Sequence, residues 1–327
     1  MKAFDYASPG TVAEAVRLVG ERPGAGFIAG GTDLLNLMKD GARAHDRIVD
    51  INALPLADVV QANGVIRIGA LARMADVATH PAVRRALPVV SQALLASASP
   101  QVRNMAAIGG NLLQRTRCGY FRDAGSPCNK RVPGSGCPAI DGQNRGHAVL
   151  GGSDDCIAVH PSDFAVALLA LDAVVVTRGP SGSRRIPIGD FHLLPGTTPD
   201  RENVLAHGEL IVAVEVPVTP MAAKSAYLKL RDRTTFEFAV VAVAAALDLR
   251  GPVVRDVRLT FGGIATKPWR SPEAEAALRG KAITDTTLAA AGRALVSGAV
   301  ARQQNAFKVD LVQRALAGHL RELGGVR

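Results

Sequence analysis

The chain has 327 residues, long for one domain and comfortable for two, and its 48% hydrophobic and 20% charged residues describe a folded protein rather than a disordered one. Aromatic residues make up only 4%, so the cores rest on Ala, Val, Leu and Ile. A formal charge of +9 admits nucleic acid, an anionic cofactor or an acidic partner, but the arginines are scattered, without a charged tail or lysine-rich stripe, which argues against a general nucleic-acid-binding protein.

No apolar stretch follows Lys2, so the N-terminus does not read as a secretory signal, and export would require a partner's signal. Thr11–Val19 reads as a helix with Leu, Val and Ala on one face, Gly26–Ala29 as a short strand, Leu34–Lys39 as a helix and Arg47–Asp50 as a second strand. Strands resume at Val65–Ile68, and Ala82–Arg103 is expected to be helical with Pro88 near a boundary. From Gln114 to Pro161 periodicity disappears in a stretch rich in Gly, Pro, Arg and Cys, so something other than a hydrophobic core must order it. Asp163–Leu171 is then a helix, and Ala173–Thr177 and Leu210–Val216 are strands. After Thr219 a sheet-then-helix unit is predicted, with strands at Ala226–Arg231, Ala239–Leu249 and Val253–Phe261. Helices follow over residues 272–279, 284–300 and 306–322. The longest apolar runs, Phe164–Leu171 and Phe238–Leu247, are too short to span a membrane.

All four cysteines fall inside the aperiodic stretch: Cys118, Cys128, Cys137 and Cys156, spaced C-x9-C-x8-C-x18-C. Four thiolates suit a [4Fe–4S] cluster, one for each iron. Arg115, Arg117, Arg122, Lys130, Arg131 and Arg145 would offset its negative charge, and Gly119, Gly134 and Gly136 would let backbone N–H groups approach sulfur. Two other readings stay open. Structural zinc also takes four cysteines but usually pairs them as C-x2–4-C, and disulfides suit small secreted domains. His147 and His160 flank Cys156 and read either as residues around such a centre or as surface histidines.

Phe27–Leu35 runs from a strand through Gly30–Gly31 into a helix, where backbone N–H groups and the Thr32 hydroxyl can meet a diphosphate. The pattern is not G-x-G-x-x-G, and a plain turn capped by Thr32 or Asp33 explains it as well. A second glycine pair in the loop Ile108–Asn111 suggests one ligand held from two sides. Taken singly, Asp163 reads as a helix N-cap and Lys229 as solvent-exposed.

Together, Phe27–Leu35, Ile108–Asn111, His160–Asp163 and Tyr227–Arg233 resemble the FAD subunit of the xanthine dehydrogenase and carbon monoxide dehydrogenase family. The cysteine stretch is similar to that of the flavin subunits of periplasmic molybdenum aldehyde oxidoreductases, where a [4Fe–4S] cluster occupies an inserted loop. The resemblance implies an α+β chain. Residues 1–218 would form a two-lobed FAD-binding fold of the vanillyl-alcohol oxidase type with a cluster-binding insertion at 114–160, and residues 219–327 a C-terminal domain of sheet and helices. It implies that Gly26, Phe27, Ile28, Ala29, Gly30, Gly31, Thr32, Asp33 and Leu34 wrap the FAD diphosphate, with Ile108, Gly109, Gly110 and Asn111 opposite. Asp163 would bind a flavin-side hydroxyl, the Ile211 backbone would contact the ring system, and Lys229 would approach the isoalloxazine. Ala107 stands where some relatives carry a hydroxyl residue before Ile-Gly-Gly, which removes a side-chain phosphate contact.

By the same resemblance the chain carries no substrate-activating residue of its own. It would join a molybdopterin-containing large subunit and a [2Fe–2S] small subunit in the periplasm, exported with a signal-bearing partner, or else in the cytoplasm. Electrons taken from an aldehyde would reach its FAD. A flavin subunit of the 4-hydroxybenzoyl-CoA reductase type is the neighbouring alternative, and an iron–sulfur nucleic-acid-binding protein the distant one.

Overall fold

The computed structural model describes residues 1–326. The strands form three sheets. The first contains β1 (Asp5–Ala7), β2 (Ala25–Ile28) and β3 (Arg47–Asp50), parallel in the order β1-β3-β2. Helix Val12–Gly20 buries Ala15, Val16 and Val19 on one face, and the Thr11 hydroxyl caps it by accepting from the Glu14 N–H.

The second sheet contains β4 (Val59–Ala62), β5 (Val65–Gly69), β6 (Val174–Gly179), β7 (Gly182–Pro187) and β8 (Leu210–Pro217), antiparallel in the order β4-β5-β8-β6-β7. The third contains β9 (Ser225–Leu230), β10 (Val241–Arg250), β11 (Val253–Gly262) and β12 (Trp269–Arg270), antiparallel in the order β12-β11-β10-β9. Val241, Val243, Ala245 and Leu247 of β10 join a core with helices Pro272–Leu278, Asp285–Leu295 and Phe307–Gly324. Its other face carries the smaller Ala244 and Ala246, which share a core with helix Asp163–Ala170. Every residue of that helix is buried, as its unbroken apolar run requires when it is enclosed on all sides.

The predicted Ala82–Arg103 helix is three helices, Pro81–Ala86, Pro88–Ala96 and Pro100–Met105, each opened by a proline that cannot donate within a continuing helix. Ile108–Leu112, expected as a loop, is a helical turn. Helix 284–300 stops at Leu295, and Gly298 lies beyond with a φ of 85°. Between Leu112 and Asp163 the only regular element is the turn of helix Gly119–Arg122.

Candidate functional site

All nine residues from Gly26 to Leu34 line one groove of about 480 Å³, and Gly110 and Asn111 line its other side. Ile108 and Gly109 are buried beneath it; a Cβ on Gly109 would stand 3.0 Å from that of Ala70. Segment 200–209 forms the remaining wall, which carries no sequence motif and was not anticipated. The two glycine pairs serve different ends. Gly31 has a φ of 70°, the left-handed turn between β2 and the following helix. A Cβ on Gly30 would fall 1.9 Å from the Met105 carbonyl oxygen, so that glycine admits a neighbouring backbone, whereas a Cβ on Gly110 would meet nothing within 4 Å and would project into open space. Arg43 and Arg201 line the groove without a carboxylate at ion-pair distance among the described residues, so their charge is available to an anion. An open backbone surface with uncompensated guanidinium groups fits a diphosphate.

Asp33 does not cap its helix. Its Oδ2 accepts from the Arg115 N–H at 2.8 Å, and its Oδ1 meets Arg117 Nη1 at 2.7 Å and Arg122 Nη2 at 2.8 Å. Arg117 also stacks over the Phe238 ring at 4.8 Å and lines both the groove and a second chamber of about 360 Å³. Val159, Pro161, Val166, Phe238 and Val240 give that chamber an apolar wall, and Ser162, Asp163, His147, His160 and the charged Arg145, Asp232 and Glu237 give it polar groups, a mixed lining able to take a flat heteroaromatic ring.

Ser162, not Asp163, caps the buried helix, through its hydroxyl to the Ala165 N–H. The Asp163 carboxylate accepts from Tyr227 Oη at 2.6 Å, Ser97 Oγ at 2.9 Å and Lys229 Nζ at 2.8 Å. Lys229 is buried rather than exposed, and it also donates to the Ala96 carbonyl. Burial beside the Asp163 carboxylate holds the Tyr227 hydroxyl well above its ordinary pKa. Oδ1 accepts one bond and keeps a lone pair for a ligand hydroxyl. Lys229 and Ile211 do not line either cavity; Ile211 lies in β8 beside a register shift opposite Val176 and Thr177.

The four cysteines, far apart in sequence, line one small cavity together with Tyr120, Pro127, Lys130 and His147. They are not gathered about a single point, since among the described residues no three His, Cys, Asp or Glu side chains converge closely enough to hold one ion. Burial raises the Cys137 and Cys156 thiols and takes Cys118 up to about 11. Backbone N–H groups oppose that rise, but they come from Tyr120, Phe121, Ala139, Ile140, Ile157 and Ala158 and not from the expected glycines. The Gly136 N–H is spent on the Asn129 side chain.

The basic residues of the insertion act mainly as staples. Arg115 and Lys130 pair with Glu202, Arg117 and Arg122 with Asp33, and Arg145 with Asp232, while Arg131 donates to the Tyr120 and Phe121 carbonyls. Three carboxylates thus engage five of the six basic residues in internal pairs, which leaves them less free to grip a nucleic-acid backbone. His147 is buried and His160 half-buried, rather than on the open surface. His147 Nε2 lies 3.2 Å from Cys118 Sγ, and Cys118 and His147 form a wall shared by the thiol cavity and the chamber. The His160 ring packs edge-on to His192.

Lys308, fully buried on the C-terminal helix, donates to the carbonyls of Gly146, His147 and Gly263, and Asn305 reaches those of His147 and Ala148. Burial and then Arg145 pull the Lys308 pKa down to about 7, against the opposing pull of Asp232. Because the folded pKa lies below the ordinary 10.5, the unfolded chain holds the extra proton between them, and stability should fall as pH drops from about 10 to 7. Lys308→Met is expected to flatten that slope, read from denaturant midpoints at both pH values. An unchanged slope would mean that three carbonyl acceptors keep the ammonium charged throughout.

Residues 2–219 match the FAD-binding domain of molybdopterin dehydrogenases, and residues 225–323 match the C-terminal domain of the carbon monoxide dehydrogenase flavoprotein. The chain is 49% identical to the aldehyde oxidoreductase FAD-binding subunit PaoB of Escherichia coli over 98% of both chains. It is 29% identical to the glyceraldehyde dehydrogenase medium chain of Sulfolobus acidocaldarius over 86% of this chain and 83% of that one. Carbon monoxide dehydrogenase of Hydrogenophaga pseudoflava superposes with a TM-score of 0.75 at 26% identity, covering 97% of this chain and 96% of that one.

Proposed function

We propose that this chain, which belongs to the FAD-binding subunits of the xanthine dehydrogenase and carbon monoxide dehydrogenase family, holds FAD and one [4Fe–4S] cluster and relays electrons within its enzyme. It is the FAD-binding subunit of an aldehyde oxidoreductase of the molybdenum hydroxylase type. When bound, the flavin supplies exchange of electron pairs for single electrons and the cluster supplies one-electron transfer.

The observation that carries the reading is that three cavities lie side by side and share walls. The groove and chamber meet at Arg117, and the chamber and thiol cavity meet at Cys118 and His147. In this reading the loop Gly26–Leu34, Gly110, Arg43 and Arg201 hold the diphosphate, and the chamber takes the ring. Asp163 offers its free lone pair to a flavin-side hydroxyl, with Lys229 behind it as a fixed cation favouring the anionic reduced ring. Cys118, Cys128, Cys137 and Cys156 would ligate the iron as thiolates, so loading must displace the protons that burial favours.

The substrate is oxidised elsewhere in this proposal. A molybdopterin-containing large subunit converts aldehyde and water to carboxylate, releasing protons and an electron pair, and a [2Fe–2S] small subunit passes the electrons here. The assembly is placed in the periplasm, exported with a signal-bearing partner, as the resemblance implies. The test is aldehyde added anaerobically to the assembled complex, in which the FAD should be releasable by acid and its absorption band should bleach. Aldehyde turnover at the molybdenum centre with a flavin that never becomes reduced would refute the relay.

A further inference from the structure

We infer that Asp33 couples the two cofactor sites, so that loading the thiol cavity strengthens the grip on FAD through the Arg117–Asp33–Arg122 cluster. The inference rests on the reading of segment 114–160 as a [4Fe–4S] loop and goes beyond it, by assigning a physical link between that loop and the diphosphate groove.

Asp33 is the last residue of the glycine turn before its helix, and its carboxylate lines the groove beside the surface assigned to a diphosphate. Alone, a carboxylate there would repel the phosphates. It is instead held from three directions, and every donor belongs to the opening of the cysteine segment: the Arg115 N–H, Arg117 Nη1 and Arg122 Nη2. One carboxylate and two guanidinium groups leave a net positive charge where the carboxylate alone would have been negative, with the exposed Asp40 carboxylate only at the edge of the cluster, 4.0 Å from Arg122. The insertion therefore inverts the local field at the groove when it is docked.

Docking in turn depends on the thiol cavity. Arg117 immediately precedes Cys118, and Arg122 closes the helical turn that begins after Cys118, donating back to the Thr116 and Arg115 carbonyls. The insertion brings little apolar surface of its own to this contact. Phe121, Cys128 and partly buried Cys118 form a small core with Leu37 and Ala42, in and just after the helix that follows the glycine turn. The element carrying Cys118 thus rests on the element carrying Asp33 both by charge and by packing. A ligated Cys118 fixes Arg117 and Arg122, and fixed guanidinium groups favour an anion in the groove. By thermodynamic reciprocity, bound FAD must strengthen retention of the cluster by the same factor.

The test uses the full chain and a thermodynamic cycle. FAD dissociation constants are measured by flavin fluorescence on the cluster-loaded protein and on Cys137→Ser, each with Asp33 and with Asp33→Asn. With Asp33 present, losing the cluster is expected to weaken FAD binding about tenfold, within the usual range for coupled sites. In the Asp33→Asn background the same comparison should change by less than about twofold, the scatter of independent sites. Asp33→Glu, which keeps the charge, should restore part of the coupling. Should Asp33→Asn fail to fold, Arg122→Gln cuts the link from the other side at a residue outside the groove lining, and it should abolish the coupling equally. A tenfold effect that survives in Asp33→Asn or Arg122→Gln would overturn the assignment. So would wild-type protein with full iron and sulfide whose FAD affinity ignores cluster loss. Wild-type protein without iron or sulfide would instead sink the cluster reading, and this inference with it.

Discussion

Serine in place of any one of Cys118, Cys128, Cys137 or Cys156 is expected to strip most of the iron and acid-labile sulfide from the purified chain and to open residues 114–160 to protease. The reason is the small apolar content of that segment. Between Asp123 and His147 its buried apolar side chains are Cys128 and Ala139 alone, while Phe121 packs on Leu37 and Ala42 at one end and Val149 and Leu150 enter the C-terminal core at the other. A long loop so poorly supplied with hydrophobic contacts cannot offset its ordering entropy by burial, and a metal group bonded at four points can. The ion pairs of Arg115 and Lys130 with Glu202 and the anchoring of Gly146 and His147 by Lys308 do not involve the cysteines and should persist, so cleavage should concentrate between Arg131 and Asn144. Losing several kcal/mol of such binding would lower the melting temperature by roughly 10 °C in a chain of this size. Iron and sulfide assays with limited proteolysis check it. Wild-type iron content in two or more of the four variants would dismiss the four-ligand arrangement.

Gly30→Ala is expected to give flavin-poor, destabilised protein. The added Cβ would meet the Met105 carbonyl oxygen at 1.9 Å and the Ala106 Cα at 3.1 Å, and these are backbone atoms that cannot rotate away. Arg73 pins the same carbonyl at 2.6 Å, so relief requires moving the whole strand-to-helix turn, at a cost of about 3 kcal/mol. Gly31→Val should also shed FAD, because a β-branched residue is strained at a φ of 70° by about 1–3 kcal/mol. Gly110→Ala separates fold from ligand. Its Cβ has open space and sits within a helical turn, so the flavin-free protein should melt no lower than wild type while FAD binding weakens. Flavin-to-protein ratios after gel filtration and melting curves of the apoprotein measure both effects. Full flavin occupancy in Gly30→Ala and Gly110→Ala would return these glycines to a purely structural role.

The elements that bury an apolar face are legible in the sequence. Leu34–Lys39 and Arg47–Asp50 carry their pattern in consecutive residues, and Thr11 announces its helix by its chemistry. β1 and β4 leave no such mark, because each is a short strand at the edge of its sheet with most side chains in solvent. The cysteine spacing singles out the thiol cavity, since ligand chemistry is local to those residues. What surrounds it is not local. Asp33 meets Arg122 across 89 positions, and Lys229 meets Asp163 across 66. No periodicity encodes a pairing at that range, so the basic residues of the insertion suggest a charge field when each of several is matched to a carboxylate.

Asn305 and Lys308 hold Gly146, His147 and Ala148 across more than 150 positions of chain. On a ribosome the whole insertion therefore emerges long before the two residues that fasten its far end. Until helix Phe307–Gly324 is synthesised and docked, the segment around His147 lacks its anchor, and the side of the thiol cavity that His147 closes stays ajar. With the proposed cluster, maturation would acquire a direction from this: the chain would be most receptive to metal before its last helix docks, and that docking would seal the loop behind it.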